Sequence, residues 1–419
     1  MAKGKWQMAN VKNRTPSAVL FFTFAICHLL FAVCHSAFAF QSPAAGQTQS
    51  ANPAAIFAQA QRALSAGDYA AAESGFRRVL ELDPRSAAAH VNLGVAYLRS
   101  GKIELAIKSF QEAHKLAPQM AGIDLNLGLA YYHLGQATQR EDDFAAAIPY
   151  FGRALAADSS SVQAHYLKGM CHFMIDQYGP AVAALEPIAD QEQNDLDYLF
   201  VLGICYGKLK RADDSSRTFS QMVKAGGDTP HLHFLLGKAY LDLYEHQKAQ
   251  VELEKAEAGD PTMPYLHFNL GVLYQRLGTL DKAGEEFDKE IKITPREPWS
   301  YENRGIIWLD QGDTDKAIAM FQKVLALNPK MPLSLAGMGR AYMRESKPAD
   351  AAVYLKRAVE IQPDSANFHY QLGQAYLKLK RTDEAKAQFA EASKLQAAVR
   401  QGQEEKISGK LPAPSSPQP

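Results

Sequence analysis

The feature that most constrains this chain is a recurrence every 34 residues. Its clearest copy runs from Ala87 to Pro118, AAAHVNLGVAYLRSGKIELAIKSFQEAHKLAP. Apolar residues recur there at helical spacing on both sides of Ser100-Gly101-Lys102, which predicts two short amphipathic helices joined by a tight turn. A period of this length overrides a domain count taken from 419 residues, because a solenoid grows by stacking units and needs no single core.

Numbering each copy from 1 to 34, repeats begin at Pro53, Ala87, Ala121, Val162, Leu196, Pro230, Pro264, Pro298, Pro332 and Ala366. Position 8 is glycine from Gly94 to Gly373, position 11 is aromatic in most copies (Tyr97, Tyr131, Trp308), and position 20 is alanine (Ala72, Ala106, Ala385). Position 24 is commonly phenylalanine (Phe76, Phe110, Phe389), and proline at position 32 ends the second helix (Pro84, Pro118, Pro363). The small residues let the two helices of a unit approach, and the aromatics are expected to fill the space between units. Seven extra residues enter repeat three near 136–142, nearly two helical turns, so they can lengthen both helices and keep their faces in phase. Pro187 should kink or break the second helix of repeat four.

This pattern resembles the tetratricopeptide repeat, in about ten units over residues 53–397, grouped as repeats one to three in 53–159 and repeats four to ten in 162–397. The resemblance implies an all-α fold, a right-handed superhelical solenoid of helix-turn-helix units with a concave groove lined by the first helices. It also implies a protein or peptide partner rather than catalysis.

In the family, position 5 faces the groove. Tyr166, Phe200, Phe234 and Phe268 occupy it in successive repeats, and Tyr265 and Trp299 at position 2 should border it. Two readings of this aromatic run stand: apolar anchors for a partner segment, or filler. Asn92, Asn126, Asn269 and Asn303 at position 6 resemble the asparagines of peptide-binding relatives, since their amides can bond a peptide backbone without reading its sequence. The basic partners of a carboxylate clamp are not reproduced. Arg340, with Lys238, Arg344 and Lys378, could make the C-terminal half of the groove basic.

Forty-five basic and 45 acidic residues balance, and no basic stripe suggests nucleic acid. There is no phosphate loop, HExxH, paired CxxC or serine elbow, so neither an enzyme nor a cofactor is expected. Asp310–Asp315 reads as a solvated turn rather than a calcium loop, which lacks its downstream ligand. Histidine recurs at position 4 (His90, His165, His233, His267, His369), but one-repeat spacing is too wide for two imidazoles to share an ion, so packing is expected and no metal. Cys171 and Cys205, one repeat apart, read as small buried residues rather than a disulfide.

The N-terminus differs in kind. Lys3, Lys5, Lys12 and Arg14 precede an apolar run from Ala18 to Val33, and Ala37-Phe38-Ala39 fits a signal-peptidase site. Residues 1–39 are therefore expected to be a signal peptide, 40–52 a polar linker, and 398–419 a disordered tail. Cleavage would remove four basic residues and no acidic one, taking the balance to about −4. The expected protein is exported, periplasmic or secreted. The alternative is an assembly subunit of an envelope or secretion complex, anchored in the inner membrane by an uncleaved Ala18–Phe40. N-terminal sequencing of the exported protein should begin at Phe40; a start at Met1 would leave the anchor as the better reading.

Overall fold

The computed structural model describes residues 52–120, 122–138 and 140–407, with side chains as far as Gln401. The expected signal peptide, the Ala18–Phe40 anchor, most of the linker and the end of the tail lie outside the described residues. Among the described residues every element is helical, and no helix is long and apolar enough to cross a membrane.

Twenty α-helices follow one another. The first six are α1 (Pro53–Ser65), α2 (Tyr69–Leu82), α3 (Ala87–Arg99), α4 (Ile103–Leu116), α5 (Ile123–Thr138) and α6 (Glu141–Ala157). Then come α7 (Val162–Met174), α8 (Tyr178–Leu185), α9 (Leu196–Lys208), α10 (Ala212–Gly226), α11 (Pro230–Asp242), α12 (His246–Gly259) and α13 (Leu266–Arg276). The last seven are α14 (Leu280–Ile293), α15 (Pro298–Gln311), α16 (Thr314–Leu327), α17 (Pro332–Arg344), α18 (Pro348–Ile361), α19 (Ala366–Lys378) and α20 (Thr382–Ile407). Odd-numbered helices are the first of each repeat. The chain divides into two compact units, one ending at Glu245 and the other beginning at His246, so the division falls inside repeat six.

Within each unit the helix pair is set by the contact between positions 8 and 24. A Cβ added to Gly94 would lie 2.5 Å from the Phe110 ring, and one on Gly271 would lie 2.6 Å from Phe287. The ring thus lies on bare backbone inside its own repeat, rather than only between repeats as the sequence pattern suggested. In repeat four Leu185 takes that place against Gly169. The α8 helix stops at Leu185, and a 3-10 turn over Glu186–Ile188 carries Pro187. The insertion in repeat three is absorbed as helix: α5 has 16 residues and α6 has 17, against 13 and 14 in α3 and α4. At the other end α20 continues to Ile407, past the expected end of order at 397, because no proline or glycine stops it before Gly402.

Two further contacts recur that the sequence pattern did not announce. The turn between the helices places position 15 at positive φ in nine repeats, as glycine in Gly101 (77°) and Gly278 (78°) but as ordinary residues in Lys210 (61°), Ser346 (60°) and Lys380 (61°). The position-4 histidines reach back to the carbonyl at position 32 of the preceding repeat: His90 to Pro84 (3.2 Å), His165 to Ser159 (3.1 Å), His267 to Pro261 (2.8 Å) and His369 to Pro363 (2.9 Å). Tyr301 donates its hydroxyl to Pro295 in the same way. These side chains staple one repeat to the next through orphan carbonyls at a helix end. Cys171 and Cys205 are buried free thiols, and burial pushes the Cys205 thiol up to about 12.

A left-handed conformation strains any residue with a Cβ, so Ser346→Gly should raise stability by up to about 1 kcal/mol. Gly271→Val should lower it by about 1–3 kcal/mol through overpacking against Phe287. Urea denaturation of both variants beside the wild type checks the two signs.

Candidate functional site

Positions 2, 5, 9 and 12 of a first helix are three or four residues apart and share one side of it. In the N-terminal unit the first helices α5, α7, α9 and α11 pack in succession. Their stripes carry Tyr132 at position 12, Tyr166 at 5, Asp197 at 2, Phe200 at 5 and Lys238 at 9.

The aromatic run expected along the groove is placed differently from the sequence reading. Phe200 is 2% exposed, Phe234 0% and Phe268 3%. Phe268 packs tilted against Phe287 at 5.8 Å. These three rings are core and present no surface to a partner as they stand. The physical reason is depth: helical spacing gives the side of the helix a residue occupies, while neighbouring helices decide how far down it sits. Tyr166, Tyr265 and Trp299 are half-buried. Tyr265 sits in the left-handed region (φ 67°), its backbone N–H held by the buried carboxylate of Glu290 at 2.8 Å.

The asparagines divide as well. Asn92 donates to Ala88 O, Asn269 to Tyr265 O and Asn303 to Trp299 O, each a bond of 2.8–2.9 Å to its own helix. Asn269 is fully buried and its Oδ1 has no hydrogen-bond partner, whereas Asn92, Asn126 and Asn303 are half-buried. Arg340 forms an ion pair with Asp310 at 2.9 Å, and Arg344 donates to the Leu309 carbonyl. Lys238 is not a surface base, being 3% exposed. Of the bases expected in the C-terminal half of the groove, Lys238 is buried, Arg340 is paired with Asp310, and Lys378 is exposed.

What the structure brings together instead is one buried lysine, Lys238, with two half-buried polar groups, Asp197 and Tyr166, near it. The Lys238 ammonium lies 4.2 Å above the Phe200 ring and has neither a hydrogen bond nor an ion pair among the described residues. Burial lowers its pKa, while Asp242 and Asp197 pull the other way. Burial pushes the Asp197 carboxyl up to about 6, Asp195 adds to this, and Lys238 opposes it. Burial also holds the Tyr166 phenol well above its usual range, followed by the charges of Asp195 and Asp197. Neither Asp197 nor the Tyr166 hydroxyl has a hydrogen bond among the described residues. A buried ammonium without a hydrogen bond or ion pair is uncommon in folded proteins, and this one lies within electrostatic reach of half-buried Asp197, which in turn reaches Tyr166. Asp197 is not among the residues the sequence pattern points to; a charge on an otherwise apolar stripe is the signal it carries.

In the C-terminal unit the same stripe carries Glu302 at position 5, buried, with the Ser334 hydroxyl donating to it at 2.6 Å. Burial pushes Glu302 up to about 7, with the Ser334 bonds working against the shift. Farther along, Leu333 (38% exposed), Tyr370 (47%) and Leu377 (54%) on this stripe reach solvent.

The comparisons agree with this architecture. Family profiles described as "Tetratricopeptide repeat" match residues 57–121, 234–298, 298–331 and 342–401. A profile described as "Anaphase-promoting complex, cyclosome, subunit 3" matches 140–222. No curated protein matches the sequence. Among solved structures, yeast Tom70 is 16% identical with a TM-score of 0.40, over 86% of this chain and 96% of that one. A tetratricopeptide repeat protein from Parabacteroides merdae is 16% identical with a TM-score of 0.48, over 69% and 98%. The APC/C hetero-tetramer Cut9-Hcn1 is 15% identical with a TM-score of 0.45, over 83% and 88%.

Glu302 gives the C-terminal unit a distinctive pH response. Its folded-state pKa is above its unfolded one, so the fold binds the extra proton and gains stability as pH falls. Between pH 8 and pH 5 the gain is on the order of 2–3 kcal/mol. Glu302→Gln should flatten that slope in denaturation followed by Trp299 and Trp308 fluorescence; an unchanged slope would assign it to other carboxyls.

Proposed function

Because the chain belongs to the tetratricopeptide-repeat family, we propose that it is an exported, non-enzymatic scaffold holding a protein or peptide segment in a concave groove formed by its first helices. The repeats suggest a protein-interaction scaffold.

The observation that carries the reading is the Lys238 ammonium, buried over the Phe200 ring at 4.2 Å, with half-buried Asp197 and Tyr166 near it. A peptide backbone presents one N–H donor and one C=O acceptor per residue. An extended segment can answer the Asp197 carboxylate with donors and the Lys238 ammonium and Tyr166 hydroxyl with acceptors. Half-buried Asn92 and Asn126 retain a side-chain oxygen for the same purpose. Recognition of this kind reads the backbone more than the side chains and suits a scaffold that accepts related segments. Export rests on the order of basic, apolar and small residues in 1–39, and the periplasm of a bacterium is the setting such a signal would imply.

A buried cation without a partner weakens the fold unless a ligand uses it. Lys238→Met should therefore raise the thermal midpoint while weakening crosslinked capture of the bound protein, from the cells that make it, by about tenfold or more. Unchanged capture by a more stable variant would remove the groove assignment in the N-terminal unit.

A further inference from the structure

The position-4 staple needs only one ring nitrogen. In repeats four and ten the other nitrogen meets a neutral acceptor: His165 Nδ1 faces the Ala184 carbonyl at 3.0 Å, and His369 Nδ1 faces the Gln388 amide oxygen at 2.7 Å. Repeat seven is different. His267 Nε2 donates to Pro261 O at 2.8 Å, and Nδ1 faces Glu286 Oε2 at 2.6 Å and Glu257 Oε1 at 3.8 Å. These carboxylates are surplus to the staple, since His369 makes the same bond to its proline carbonyl without any.

We propose that Glu257, His267 and Glu286 form a binding site for a divalent transition metal ion of the zinc type. The three ligand atoms lie within 4.8 Å of one another and come from three consecutive helices, α12, α13 and α14, all in the C-terminal unit. His267 and Glu286 are buried and Glu257 is half-buried, which leaves one side open for entry and for a fourth ligand. One imidazole and two carboxylates make a donor set of the type that zinc accepts. The bond from Nε2–H to Pro261 fixes the ring tautomer, so the Nδ1 lone pair points at the carboxylates, as an outer-shell carbonyl does for metal-bound histidine. Two acceptors 2.6 Å apart also require something positive between them. A proton on Nδ1 serves when no metal is bound, and a metal ion takes its place. Ligand atoms around tetrahedral zinc stand about 3.3 Å apart, so Glu286 and His267 separate slightly on binding while Glu257 closes.

Lys289 is the internal competitor. Its ammonium lies 3.0 Å from Glu257 and 2.9 Å from Glu286, on the far oxygen of the latter. It is 46% exposed and sits on a flexible stem, so it can swing out to water when a divalent ion arrives. The ion would tie the second helix of repeat six to both helices of repeat seven.

The full-length exported chain, freed of metal by chelation, is titrated with Zn²⁺ by calorimetry and with Co²⁺ by visible absorption, and its thermal midpoint is read with and without Zn²⁺. One saturable site is expected, with a raised midpoint and a cobalt spectrum of low-coordinate type. Glu257→Gln keeps the staple and should weaken binding at least about tenfold, and His267→Gln should abolish the cobalt signal. Lys289→Ala should tighten binding. No saturable binding to the wild type, or binding equal in wild type and Glu257→Gln, overturns the proposal. Binding that appears only in Lys289→Ala also overturns it, since the lysine is then the resident cation.

Discussion

Helix pairs depend on how closely their two backbones can approach, and in most repeats a phenylalanine at position 24 lying on the glycine at position 8 marks that distance. The ring of Phe110 occupies the space where a Cβ on Gly94 would stand, and Phe287 does the same over Gly271. This contact fixes the crossing of one helix over the other, and the crossing fixes which side of the first helix is left for neighbours. The cost of a larger residue is steric and local, but each repeat is the template for the next, so the contact has to recur. Leucine takes the ring's place at a similar distance in repeats four and nine, Leu185 over Gly169 and Leu355 over Gly339.

The staple from position 4 links this local geometry to stacking. A helix ending at proline leaves carbonyls without intrahelical donors, and a histidine or tyrosine hydroxyl from the next repeat supplies one. The same residue type thus gives structure in repeats two, four and ten, and in repeat seven gains a pair of carboxylates that structure does not require. Function in a repeat protein can arise this way, by adding one charged neighbour to a position already held rigid.

The N-terminal unit departs at Lys238 from the rule that buried charges are paired, with half-buried Asp197 and Tyr166 on the two preceding first helices. The buried ammonium costs stability as it stands. Natural folds accept such costs where a ligand recovers them. The buried Phe200 ring lies under the Lys238 ammonium, and such apolar surroundings strengthen any bond a partner makes there.

The sequence by itself determined the class of fold, the number and borders of most helices, the turn between them and the break at Pro187. These follow from short-range rules, the 3.6-residue period and the chemistry of glycine and proline, which act within one or two turns of chain. It also determined which side of each first helix carries Tyr166, Asn92, Tyr265 and Phe268. Only the tertiary structure decided depth and pairing. Phe234 and Phe268 became core, Asn269 turned its amide to its own helix, and Arg340 found Asp310. Asp197, Lys238 and the Glu257–His267–Glu286 cluster emerged because residues 29 to 41 positions apart, Glu257 with Glu286 and Asp197 with Lys238, came within reach across neighbouring helices. Burial and partnership are properties of neighbours, and a chain with a perfect period gives every repeat the same pattern while its neighbours differ.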